Sequence, residues 1–265
     1  MLNAANELTA EKNALAGTGR RSTAGLHDVK ELVRSFLRNM NLDVRRYNPV
    51  DDAGIRRARI LATQDISLVL DVGANVGGYG LSLRRHGYAG RIVSFEPLSD
   101  AFATLSGHTR SDPRWTGFHC ALGSETGTAE INVAGNSVSS SFLPMLDNHV
   151  ELAPQSIYIG KEQVEIRRLD RALIGDVANE RIFLKLDVQG YETTVLSGAA
   201  DILPSVAGIE IELSLTPLYA GHPSFRQTID LLDDQGFTLV STERGLTDPK
   251  TGQILQIDGI FLRRP

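Results

Sequence analysis

The sequence predicts a doubly wound α/β fold, a mostly parallel sheet with helices on both faces, and three observations carry that prediction. Apolar runs that read as strands alternate with stretches of helical period between residues 68 and 120, the pattern of parallel strands joined by right-handed crossovers. The first run, Leu68-Val-Leu-Asp71-Val, breaks into Gly73-Ala74-Asn75-Val76-Gly77, which places two glycines four apart. The second run, Ile92-Val93-Ser94-Phe95, closes on Glu96. Strand, glycine turn, helix, strand and acid outline a unit that wraps an adenosyl group across its strand ends.

Residues 1–25 are rich in Ala, Asn, Gly, Thr and charge, and are expected to form a disordered arm. From Asp28, the residues Val29, Leu32, Val33, Phe36, Leu37 and Met40 follow the 3.6-residue period of an amphipathic helix, with Asp28 and Glu31 as its capping box. Its stripe could pack on the main domain, cover a substrate site or pair with a second copy to give a homodimer. Asp51 and Asp52 start another helix toward Gln64, so residues 26–65 read as a helical extension and 66–265 as the main domain.

Within that domain the expected order is strand 68–72, helix 76–86 stopped by Gly87, strand 91–95, helix 99–106 and strand 115–120. A turn centred on Gly127 should make a hairpin into 129–133. Residues 134–161, which include Ser139-Ser140-Ser141, are polar and irregular, as in a lid, a binding loop or a disordered stretch. Strands resume at 164–167, 182–186 and 209–213, with a short helix from Gly190 to about Gly198. A helix over 225–235 ends at Gly236, and strands 237–242 and 254–262 flank a turn at 248–252. So short a connection joins antiparallel neighbours, which gives the sheet one reversed strand.

With 265 residues and 42% hydrophobic content, the chain supports one main core. The net charge of −5 is spread over 32 acids and 27 bases without blocks, so neither a nucleic-acid groove nor an anionic-membrane surface is advertised. The single cysteine, Cys120, excludes an intrachain disulfide framework and a cysteine metal cage, and fits a reducing, cytoplasmic location. No run is long enough to span a bilayer, and the first 25 residues lack the apolar core of a signal peptide.

Asp71, Glu96, Asp187 and Glu212 lie at or near the ends of separate apolar runs, where an open α/β sheet binds its ligands. Buried carboxylates need cations, hydroxyls or amides to answer them. Glu96 suits the vicinal hydroxyls of a ribose, or else is a helix-start acid beside Pro97. Gly73 and Gly77 allow close backbone approach, and Asn75 can adopt the turn or donate from its amide. The dinucleotide fingerprint is not met, because Asn75 stands where its second glycine would be. Asp71 would repel a pyrophosphate but attract an ammonium and a sulfonium, and S-adenosyl-L-methionine carries both.

These residues resemble the FkbM-type family of class I S-adenosylmethionine-dependent methyltransferases. The resemblance rests on Asp71-Val-Gly-Ala-Asn-Val-Gly77, Phe95-Glu96-Pro97, Ala121-Leu122-Gly123, Arg168-Leu169-Asp170, Leu184-Lys-Leu-Asp187-Val-Gln-Gly190-Tyr-Glu192 and Gln256-Ile-Asp258-Gly-Ile-Phe261. It runs in order from about Asn41 to Leu262, and the stretch around Asp187 is its most family-specific piece. It implies a Rossmann-like sheet of order 3-2-1-4-5-7-6 with strand 7 antiparallel, and methylation of oxygen on sugars, polyketides and related natural products. It also implies that Asp71, Gly73, Ala74, Asn75 and Gly77 hold the methionine part, that Glu96 meets the ribose and that Pro97 borders the cofactor. By the same resemblance Ala121 and Leu122 lie near the adenine, and Asp187 faces the cofactor's amino-acid end or the acceptor. His222 departs from the amide that the family more often shows after the pattern at Leu218–Gly221.

Methyl transfer to a hydroxyl requires alignment, exclusion of water and a place for a proton. Asp187, Glu212 and His222 are the candidate catalytic bases, although Asp187 could equally orient Lys185 or a helix-end amide. Glu192 could as readily serve the helix dipole, and Glu210 shares a strand face with Glu212. No ligand set supports a metal, so none is expected. His86, His108, His119 and His149 read as surface or capping residues, and Cys120 as a packed side chain.

The expected activity is O-methylation of a small, hydroxyl-rich acceptor, a glycosyl group ahead of a polyketide or lipid, with 134–161 and 214–223 as acceptor-side walls. Two alternatives stand beside it. One is an NAD-dependent oxidoreductase using the same crevice; the other is a non-catalytic binding module that docks through the helix at 28–40.

Overall fold

The computed structural model describes residues 23–42, 44, 46–173, 177 and 179–265, so the expected arm lies almost wholly outside the described residues. The chain divides into two compact units, Met1–Asn48 and Pro49–Pro265.

The described part of the first unit is built on helix α1 (Thr23–Asn39). The helix runs from Thr23, ahead of the expected start at Asp28, and the expected capping box rests on an Asp28 side chain that lies outside the described residues. Glu31 instead pairs with Arg34 at 2.6 Å. Val29, Leu32, Val33 and Phe36 are each more than half exposed.

The second unit opens with α2 (Ala53–Thr63), whose N-cap Asp52 accepts from the Ile55 amide at 3.0 Å. A seven-stranded sheet follows, comprising β1 (Leu68–Val72), β2 (Arg91–Phe95), β3 (Trp115–Phe118), β7 (Ile182–Leu186), β8 (Val206–Ser214), β9 (Phe237–Arg244) and β10 (Gln256–Arg263). Its order is β3-β2-β1-β7-β8-β10-β9, with β10 antiparallel to both neighbours. Counted within this sheet, that is 3-2-1-4-5-7-6. Helices α3 (Gly78–Arg85), α4 (Ser99–Arg110), α7 (Glu192–Ser197) and α8 (Phe225–Asp234) make the crossovers. Gly87 (φ 89°) and Gly236 (φ 83°) take the left-handed conformation expected of helix stops. The central strands β1 and β7 are buried along their whole length, and Asp71 of one lies in register with Lys185 of the other. Two charges in a fully buried strand pair require each other.

The expected strand 115–120 divides. β3 stays in the main sheet, while β4 (Ala121–Leu122) joins a second sheet of order β4-β6-β5 with β5 (Gly127–Ala134) and β6 (Tyr158–Arg167). The expected hairpin into 129–133 is therefore not formed: β5 pairs antiparallel with β6, and β4 lies on β6's other side. β6 begins inside the stretch expected to be irregular because its outward positions are charged, as in the Lys161–Glu130 pair at 2.6 Å, which masks its apolar alternation. Between β5 and β6 lie α5 (Asp147–Leu152) and a 3₁₀ turn at Pro154–Ser156. The remaining short helix is α6 (Leu169–Ala172). Among the described residues, no helix is long and apolar enough to cross a membrane.

Candidate active site

At the carboxyl end of β1 the chain turns sharply. Gly73 (φ 74°) and Ala74 donate their amides to the Phe95 carbonyl, each at 3.1 Å, and Asn75 (φ 47°) and Gly77 (φ 89°) complete the turn into α3. A Cβ at Gly73 would stand 1.9 Å from the Asp187 carbonyl oxygen, so only glycine fits there. Above this turn opens a cavity. Gly73, Asn75, Glu96 and Pro97 line one side, and Ala121, Leu122 and Asp187 line others. Asp71, Ala74, Gly77, Glu212 and His222 are not in its wall.

Glu96 is 4% exposed, and its carboxylate is held from two directions. The Asn75 amide donates to Oε2 at 2.7 Å and the Leu98 amide to Oε1 at 2.9 Å. Burial pushes its carboxyl up to about 7, against the pull of those two amides. Each oxygen keeps lone-pair capacity after one N–H bond, and the group borders the cavity. That disposition matches a vicinal diol.

Asp71 is fully buried and turned away from the cavity. Ser94 donates to its Oδ2 at 2.9 Å, Trp115 donates to the Ser94 hydroxyl at 2.9 Å, and Lys185 Nζ stands 3.3 Å from Oδ1. Lys185 also donates to the Gly73 carbonyl at 2.9 Å and lies 3.6 Å from Asp187. Burial works against its charge, but Asp71 and Asp187 hold it above the ordinary lysine value. Glu210 receives Arg57 at both oxygens, at 2.7 and 2.5 Å, and Tyr79 at 2.7 Å. Within the protein Lys185 answers Asp71, where a ligand's cation was expected, and Arg57 answers Glu210.

Asp187 directly follows β7, with its side chain 42% exposed. Gln189 (φ 54°) donates from Nε2 to Asp187 Oδ1 at 2.8 Å and to Glu212 Oε2 at 3.1 Å, while Tyr219 donates to its Oε1 at 2.7 Å. Glu212 is pushed well above the carboxylate range by burial first and by Asp187 next. Asp258, in register with Glu212 across β8 and β10, is raised to about 7, again by burial and then by Asp187. His222 lies apart from the cavity, its Nε2 3.3 Å from Glu192 Oε2. Glu192 Oε1 accepts from the Val188 and Gly190 amides at 3.0 and 3.2 Å, which fixes the turn after Asp187. Among the described residues, no group of three or more carboxylate, imidazole or thiol side chains is arranged to hold a metal.

The segment after β5 closes the cavity with Ser137, Val138, Ser140 and Phe142. Asn75 donates to the Ser137 hydroxyl at 3.1 Å, and Phe142 lies 4.9 Å from Tyr191, ring centre to ring centre. Cys120 is packed at the cavity wall, and burial raises its thiol to about 11, which leaves it a poor nucleophile. His149 corrects the expectation of a surface residue: it is 3% exposed and meets the Tyr219 ring edge-on. Sequence reasoning did not assign Gln189, Tyr219 or Ser137 a role. Gln189 could have been found from its place inside the Asp187–Glu192 motif; the other two act only through the fold.

A parallel sheet of this order, with one reversed strand beside its edge and a cleft over its carboxyl ends, defines the class I methyltransferase fold. The family description "Methyltransferase FkbM domain" matches residues 71–239, and the chain belongs to that family. Methyltransferase 1 of Beauveria bassiana is 29% identical over 195 residues, covering 68% of this chain and 75% of that one. Methyltransferase sdnD of Sordaria araneosa is 28% identical over 153 residues, covering 49% of this chain and 59% of that one. Among solved structures, the FkbM methyltransferase of Methylobacillus flagellatus KT aligns with a TM-score of 0.44 and 16% identity, over 74% of this chain and 44% of that chain.

Proposed function

We propose that this chain is an S-adenosyl-L-methionine-dependent O-methyltransferase acting on a hydroxyl of a small-molecule or glycosyl acceptor, of the kind handled in natural-product or glycolipid biosynthesis. The observation that carries this reading is the pairing of the Gly73–Gly77 turn with Glu96, whose two oxygens each hold one backbone amide and still border the cavity. On this reading Glu96 accepts from the ribose hydroxyls, Gly73 and Asn75 border the methionine part, and Ala121, Leu122 and Pro97 flank the adenine. Asp71 and Gly77 act from behind: one sets the charge of Lys185, the other starts α3.

When bound, the cofactor supplies a methyl group on a sulfonium, open to in-line displacement by the acceptor oxygen. Asp187 is the proposed proton acceptor, because it is exposed at the cavity and its charge is balanced by Lys185 at 3.6 Å. Glu212, its carboxyl pushed up by burial, acts through Gln189. His222, held by Glu192 outside the cavity, supports the turn. The segments 134–161 and 214–223 form the acceptor side on this reading, knit together by the Met145–Tyr219 bridge. Calorimetric titration with S-adenosylmethionine, its demethylated product and NAD tests the cofactor: binding of the first two is expected, and binding of NAD alone would refute the proposal. Mass spectrometry of hydroxylated glycosides and polyketides incubated with the protein and cofactor tests the acceptor, through a gain of one methyl group.

A further inference from the structure

We propose that Gln189 is the positioning residue for Asp187: its side-chain amide, set by Tyr219, fixes one carboxylate oxygen of Asp187 and leaves the other beside Lys185 at the cavity. The inference rests on the reading of Asp187 as proton acceptor. The hydrogen-bond pattern admits one orientation of the amide. Nε2 faces two carboxylates, at 2.8 and 3.1 Å, and Oε1 faces the Tyr219 hydroxyl at 2.7 Å. The reversed amide would point its oxygen at both acids and its NH₂ at the phenol. Burial holds the Tyr219 phenol protonated far above neutral pH, so it remains a donor.

The backbone is committed to the same end. Gln189 takes φ 54°, which an L side chain adopts only when its surroundings hold it there. Its carbonyl accepts from Ser141 Oγ at 2.7 Å, and the flanking amides of Val188 and Gly190 are held by Glu192. Ser141 follows the cavity-closing serines, and the Ser139 carbonyl stands 3.1 Å from the Tyr219 hydroxyl. The wall of the cavity and the orientation of Asp187 are therefore tied through one side chain.

Without the amide, Asp187 and Glu212 would face each other with no donor between them, and one of the two would have to take up a proton. The charged and titratable groups around the pair are Lys185 on β7, Asp258 on β10, Glu192 on α7 and Tyr219, with Asp71 and Glu210 behind Lys185.

The test is carboxyl ¹³C NMR on the full chain, labelled at aspartate and glutamate, with the Asp187 signal assigned by its loss in Asp187→Asn. Gln189→Met preserves volume and removes the donors; its Asp187 midpoint is expected to rise by about one pH unit. Tyr219→Phe should move the midpoint the same way by less, and should add nothing to Gln189→Met, because the phenol acts through the amide. An unchanged midpoint in Gln189→Met, or additive shifts in the double variant, would overturn the proposal. If Gln189→Met fails to fold, as judged by circular dichroism, Tyr219→Phe carries the test alone, and an unchanged midpoint there overturns the proposal. Failure of the wild-type protein to bind S-adenosylmethionine would sink the functional reading but leave these shifts as expected.

Discussion

Glu96 and Lys185 are each surrounded by groups that have no second way to be satisfied, and substitution should be felt at once. In Glu96→Gln an amide NH₂ must face the Asn75 or Leu98 N–H, and a cofactor affinity lower by about 10–100-fold is expected by calorimetry, the cost of one unsatisfied buried polar contact. The wild-type protein should bind S-adenosylmethionine more weakly as pH falls through about 7, because a protonated Glu96 loses acceptor capacity toward the ribose. Lys185→Met leaves Asp71 charged and buried, and urea denaturation should show a loss of about 3–5 kcal/mol, largely recovered in the Asp71→Asn/Lys185→Met double variant. The placement of Glu96 at a strand end was legible from sequence, since it follows from the distance to the glycine turn. The partners of Asp71 and Glu210 were not: Lys185 lies 114 positions from one and Arg57 153 from the other, and only strand register and helix packing bring them together.

At the scale of elements, the turn after β1 and the segment between β5 and β6 have opposite demands. The turn tolerates no side chain at Gly73, so Gly73→Ala should lower the thermal midpoint and abolish cofactor binding, a combined strain and overlap of more than ~2 kcal/mol. The segment 134–161 is built from exchangeable side-chain bonds; replacing it with that of a relative is expected to change which acceptor is methylated while leaving cofactor affinity within a few-fold. Unchanged acceptor choice would remove the segment from the acceptor side. The alternating strands and helices of the main sheet were readable because their apolar periods are strong, and so was the reversal of β10, which follows from the short connection through Asp248–Gly252. The second sheet was hidden, because β6 carries Lys161, Glu162 and Glu165 on a half-exposed ribbon whose pairing with β5 spans a long insertion.

Across the whole molecule, Glu96 and Asp258 are both raised to about 7, so between about pH 4.5 and 7 these two groups hold more protons in the folded chain than in the unfolded one. These two groups therefore make the ligand-free protein less stable as pH rises through that window. Cofactor bound to ionised Glu96 opposes the trend, and the rise in thermal midpoint on adding S-adenosylmethionine should be larger at pH 8 than at pH 6, as read by scanning fluorimetry. The same molecule also fixes a distance. The backbone of Gly73 rests against the carbonyl of Asp187, and the Asp187 amide donates to the Val72 carbonyl at 3.2 Å, so on the proposed reading the cradle for the methyl donor and the seat of the proton acceptor form one block once β1 and β7 pair. On that reading the spacing between methyl donor and base is set during folding, and the acceptor hydroxyl has only to enter between them.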